Sequence, residues 1–99
     1  MIHRIVKLTF EKEKIDSFLI EFEKVKEKVV HFPGCLEMNL LQSTSDMPVF
    51  FTFSVWESED DLEAYRISPT FTELWSTIKP WFAAKPEAWT LDRKYTGRQ

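Results

Sequence analysis

Three kinds of side chain in this 99-residue sequence are of types that do chemistry. His3 and His31 are its only imidazoles, Cys35 its only thiol, and Glu59-Asp60-Asp61 its one run of three carboxylates. A metal centre needs several such ligands converging, and the spacing of the two histidines supports none. His31 falls near the C-terminal end of a predicted helix, where capping or the helix dipole accounts for it. A nucleophilic Cys35 would need an adjacent base and a lowered pKa. No helper stands beside it, so a small half-buried side chain is expected. Paired carboxylates can act as acid and base. Glu59-Asp60-Asp61, however, follow Ser58, a good N-cap, in a first helical turn where carboxylates meet the positive end of the helix.

The composition narrows the classes further. One cysteine permits no internal disulfide and no CxxC pair, and reads as a reduced, cytoplasmic chain. Two glycines, Gly34 and Gly97, exclude a glycine-rich phosphate loop. A net charge of −3, with positive residues scattered among acids, gives no nucleic-acid footprint. The most apolar run, Val49 to Trp56, is too short for a membrane span and is broken by Thr52 and Ser54. Charged residues from Arg4 onward do not fit a secretion signal. With 43% hydrophobic and 15% aromatic residues, the chain reads as one folded domain over residues 1–99.

The elements follow from hydrophobic periodicity. Residues 2–10 alternate as a strand, with Arg4, Val6, Leu8 and Phe10 on one face. From about Glu13 to Val30, apolar residues recur every three or four positions, which predicts an amphipathic helix. Phe32-Pro33-Gly34 ends it. Residues 35–43 and 49–56 form an expected antiparallel hairpin across a polar turn. Ser58 and Ser68-Pro69 each open a helical piece, about 59–67 and 69–79, with a bend between. Residues 88–95 make a last strand. The order β-α-β-β-α-β is the ferredoxin-like unit, an α+β fold with a four-stranded antiparallel sheet and its helices on one side.

Helices cover one face of such a sheet. The expected helix-facing set is Val6, Leu8, Leu36, Met38, Leu40, Phe51, Phe53 and Val55. The other face would carry Ile5, Cys35, Leu41, Phe50 and Trp56 among Lys7, Glu37, Asn39, Thr52 and Ser54. That mixture suits an interface with a second copy about a two-fold axis, so a homodimer is expected.

Several short segments resemble a known family. Phe32-Pro33-Gly34-Cys35-Leu36 is similar to the turn after the first helix in antibiotic biosynthesis monooxygenase domains. Val55-Trp56-Glu57-Ser58, Leu62-Glu63-Ala64-Tyr65 and Ser68-Pro69-Thr70-Phe71 resemble that family's central block. The resemblance runs from Ile2 to Tyr95. It implies a dimeric α+β barrel, two ferredoxin-like units with sheets packed face to face. Its members include cofactor-independent monooxygenases of phenols and quinols, haem-degrading enzymes and small-metabolite isomerases. Haem-degrading relatives use an asparagine, an aromatic and a histidine where this chain has Val6, Tyr65 and Trp75. The axial imidazole is therefore missing here.

Cofactor-free oxygenation needs few protein groups. A deprotonated, electron-rich substrate can itself reduce oxygen, provided a dry pocket holds it and steadies its negative charge. No cofactor and no metal is then expected. The pocket would lie between helices and sheet, with Arg4 steadying an oxyanion and Tyr65 hydrogen-bonding to it. Trp75 would stack on the ring of a small aromatic metabolite, with Val6, Phe51, Phe53 and Phe71 as further walls. The competing expectation is a non-catalytic small-molecule-binding or stress-responsive dimer, in which Phe51, Phe53, Tyr65 and Trp75 close the space. A phosphorylated-metabolite isomerase would need more cationic groups than Arg4 alone.

Overall fold

A computed structural model describes residues 1–99. Four strands, β1 (Ile2–Thr9), β2 (Cys35–Gln42), β3 (Val49–Trp56) and β4 (Glu87–Asp92), form one antiparallel sheet in the order β2-β3-β1-β4. Three helices, α1 (Ile15–Val30), α2 (Glu59–Arg66) and α3 (Pro69–Ile78), pack on one side of it. This is the α+β ferredoxin-like arrangement. Short 3-10 turns precede α1 and follow α3.

Local chemistry sets the helix boundaries. Ser58 Oγ accepts from the Asp61 backbone N–H and donates to Asp61 Oδ2, which opens α2. Ser68 Oγ accepts from the Phe71 N–H and donates to the Tyr65 carbonyl, so one buried hydroxyl joins the end of α2 to the start of α3. Pro69 at the first position of α3 fixes the bend. After α1, Gly34 takes φ +88°, a left-handed conformation, and packs directly against Asp61.

Pairing register decides which side chains face the helices. Leu8 pairs with Phe50, Val6 with Thr52, Arg4 with Ser54 and Ile2 with Trp56. Residues paired across strands share a face. The helix side of β3 is therefore Phe50-Thr52-Ser54-Trp56, the reverse of the expected assignment. Phe51, Phe53 and Val55 point to the opposite face, in register with Lys7, Ile5 and His3. An irregularity between Cys35 and Glu37 corrects a second expectation. It pairs Cys35 with Trp56 on the helix side and leaves Leu36 exposed. The last strand ends at Asp92, three residues before the expected Tyr95.

Two clusters hold the helices to the sheet. Leu8, Phe10, Phe18, Phe50, Leu74 and Ile78 form one, and Val29, Trp56, Leu62 and Tyr65 the other. Full burial of a large apolar side chain is worth about 1.5–3 kcal/mol, so the aromatic anchors dominate both. Between Phe50 and Trp56, β3 offers the helices only Thr52 and Ser54.

Candidate functional site

The space above those two short residues is a cavity of about 600 Å³. Both clusters contribute to its walls: Leu8, Phe18, Leu74 and Ile78 from one, and Val29, Trp56, Leu62 and Tyr65 from the other. Its floor combines Thr52 and Ser54 with Arg4 and Val6 of β1, Met38 of β2 and Ala88 of β4. A void survives here because small side chains occupy the middle of the sheet while bulky ones prop the helices up at either end.

Of the expected site residues, Arg4, Val6, Tyr65, Phe71 and Trp75 all line this cavity. Phe51 and Phe53 do not. They lie behind the sheet, because β3 is paired in the register that turns odd-numbered residues away from the helices. The cavity is thus not closed by Phe51, Phe53, Tyr65 and Trp75, as a purely structural core would require.

Tyr65 is buried among three rings. It stacks on Trp56 with centroids 5.1 Å apart and meets Phe32 and Phe71 edge-on at 5.4 and 5.3 Å. Burial, then the neighbouring Cys35 sulfur, push its phenol up to about 12. At neutral pH it is a hydrogen-bond donor and not a base. Along α3, Phe71 and Trp75 stack at 5.4 Å, and Phe82 meets Trp75 edge-on at 5.7 Å. These three rings form a continuous aromatic wall.

Arg4 is half-buried and donates from Nη1 to Thr90 Oγ1 at 2.7 Å. Burial, then the like charge of Arg66, lower its pKa, and Glu63 acts in the opposite sense. A guanidinium stays charged through such a shift. Arg66 also lines the cavity and pairs with Glu63 at 3.1 Å. Lys79 is a third cationic residue of the lining, and Glu87 its one carboxylate, 4.0 Å from Lys7. Sequence reasoning missed Arg66 and Lys79. It also put Thr52 and Ser54 on the wrong face, although two small polar residues inside an otherwise bulky strand were the signal for a gap.

The other chemistry-bearing residues lie outside the cavity lining. His31 Nδ1 contacts the Glu27 carbonyl at 2.8 Å, and His3 Nε2 accepts from Arg93 Nε at 3.0 Å. Desolvation raises the Cys35 thiol, only partly opposed by the Glu37 backbone, so thiolate is disfavoured. Asp61 serves the Ser58 cap. No three His, Cys, Asp or Glu side chains converge on a point where a metal ion would fit.

The sequence pattern of the antibiotic biosynthesis monooxygenase family matches residues 1–75. The chain belongs to that family. No curated protein matches this family member in sequence. Solved structures share its fold at low identity. One described as an antibiotic biosynthesis monooxygenase superposes with a TM-score of 0.90 at 22% identity, over 96% of this chain and 100% of the other. A Nitrosomonas europaea protein described as a candidate antibiotic biosynthesis monooxygenase gives 0.89 at 20%, over 96% and 100%. A conserved Methanosarcina mazei Go1 protein gives 0.89 at 18%, over 94% and 92%. No helix of this antibiotic biosynthesis monooxygenase family chain is long and apolar enough to cross a membrane.

Proposed function

We propose that this chain is a cofactor-independent monooxygenase of an aromatic, phenol- or quinol-type small molecule, acting as a cytoplasmic homodimer. The observation that carries the reading is the cavity of about 600 Å³, in which the aromatic wall of Phe71 and Trp75 is combined with the charge of Arg4. A ring stacks on Trp75 with Val6 and Phe71 beside it. Arg4 steadies the phenolate oxygen and Tyr65 donates a hydrogen bond to it. The cationic lining favours the ionised substrate, which transfers an electron to oxygen. Recombination at a ring carbon bearing hydrogen gives a carbon-bound peroxide, and loss of water leaves a carbonyl. A phenol plus oxygen thus becomes a quinone plus water, or a hydroquinone becomes a hydroxyquinone plus water. The substrate supplies all the electrons.

The dimer is supported by the far face of the sheet. Leu41, Trp89 and Leu91 are 55%, 43% and 45% exposed there, beside Ile5, Phe51 and Phe53. Such a patch is covered when a second copy packs the same face about a two-fold axis, giving the dimeric α+β barrel.

Oxygen uptake with naphthols and hydroquinones tests the activity. The expected result is consumption of one oxygen molecule per quinone formed, without added cofactor. No turnover above the buffer rate, with the protein folded and dimeric, overturns it. One observation favours a second reading, a non-catalytic small-molecule-binding or stress-responsive dimer: the cavity has no imidazole, and its one carboxylate, Glu87, is held by Lys7. Tight ligand binding without oxygen uptake would select that reading.

A further inference from the structure

Two guanidinium groups share this cavity, and only one of them has an ion-pair partner. Arg66 is paired with Glu63, while Arg4 has no ion-pair partner and spends Nη1 on a neutral hydroxyl, Thr90 Oγ1. Arg4 and Arg66 are close enough to repel each other, and Glu63 attracts both. An uncompensated positive charge in a half-buried site is unfavourable in the empty protein and becomes favourable when an anion arrives. Guanidinium forks match the planar, two-oxygen geometry of a carboxylate. The same lining holds the apolar wall of Phe71, Trp75 and Phe82.

We infer that the ligand is an aryl carboxylate, with its permanent anionic group between Arg4 and Arg66 and its ring system against Phe71, Trp75 and Phe82. The inference rests on the same cavity being the ligand site proposed above, and it adds that a carboxylate, beyond any ionising hydroxyl, decides what binds. Arg66 is the specificity residue. Its side chain is 43% exposed and contributes to neither buried cluster, so it can be changed without loss of the fold.

The test is a calorimetric and tryptophan-fluorescence titration of the full chain with benzoate, 2-naphthoate and anthracene-2-carboxylate, each against its neutral amide. At least one acid should bind about tenfold more tightly than its amide at low salt, with the advantage shrinking as salt is added. Arg66→Gln should abolish most of that advantage and leave amide affinity within about twofold. Arg4→Gln should lose the acid preference as well. If no acid outbinds its amide, or if Arg66→Gln keeps the full preference, the inference is overturned. Oxygen uptake separates it from the activity. Acid preference without uptake, with hydroxynaphthoates added to the uptake panel, refutes oxygenation and upholds the carboxylate site. Uptake on neutral hydroquinones with no acid preference does the reverse.

Discussion

Trp56 lies nearly flat on Tyr65, their ring planes inclined by 26° and their centroids 5.1 Å apart. The pair joins the end of β3 to α2 at one end of the cavity. Ser54 Oγ accepts from the indole N–H at 2.9 Å, so the ring that supports Tyr65 is itself fixed in orientation. A buried indole whose N–H is satisfied can carry a neighbour without a desolvation penalty. Trp56→Ala should therefore cost about 3–5 kcal/mol in urea unfolding and disorder Tyr65 as well.

The same burial makes stability pH-dependent at the alkaline end. The Tyr65 phenol is raised from the ordinary value of 10.0 to about 12 in the folded chain. Its contribution is complete below pH 10, where folded and unfolded chains both carry the neutral phenol. It is lost between about pH 10 and 12, as the unfolded chain ionises first. The loss attributable to this group should be about 3 kcal/mol. Tyr65→Phe keeps the packing and removes the ionisation. Urea melts from pH 9 to 12 should show a flatter profile for the variant than for the parent.

Tyr65→Phe also separates packing from hydrogen bonding. If the phenol donates to the substrate oxygen, the variant should lose about tenfold or more in turnover, with stability at pH 7 changed by no more than about 1 kcal/mol. Steady-state oxygen uptake alongside urea unfolding reads both.

Gly34 tests the join between the α1–β2 turn and α2. A Cβ at this position would lie 2.3 Å from Asp61 Cγ and 2.4 Å from Asp61 Cβ, on a backbone at φ +88°. Gly34→Ala combines a left-handed penalty with a collision against a side chain that is engaged in capping. The expected loss is about 2–4 kcal/mol in urea unfolding.

The far face of the sheet makes its own prediction. Trp89→Glu places a charge within the proposed dimer contact, facing away from the cavity. Light scattering should show a dimer for the parent and a monomer for the variant. The unfolding midpoint should then become independent of protein concentration in the variant alone.

Most of the fold was legible because its signals were redundant. The apolar spacing of α1, the Pro33-Gly34 stop and the two serine caps all agree with the structure to within a turn. Arg4, Val6, Tyr65, Phe71 and Trp75 were placed together because each sits on an element whose amphipathic face was clear. Strand β3 was different. Val49, Phe51, Phe53 and Val55 on one face compete with Phe50 and Trp56 on the other, so alternation alone does not choose. Hydrogen-bond register with β1 does, and register is a property of two strands together. The irregularity at Cys35 and Glu37 was invisible for the same reason. Arg66 was passed over because, beside Tyr65, it fits an exposed helical position equally well.

Thr52 and Ser54 determine how much room a guest has, while Phe50 and Trp56 on either side of them keep the chain folded. Chemical preference and thermodynamic robustness are thereby assigned to different rungs of one ladder. Of the two short rungs, Thr52 is the one whose exchange would resize the guest's room at little expense to the scaffold, because Ser54 is tied to the Trp56 indole.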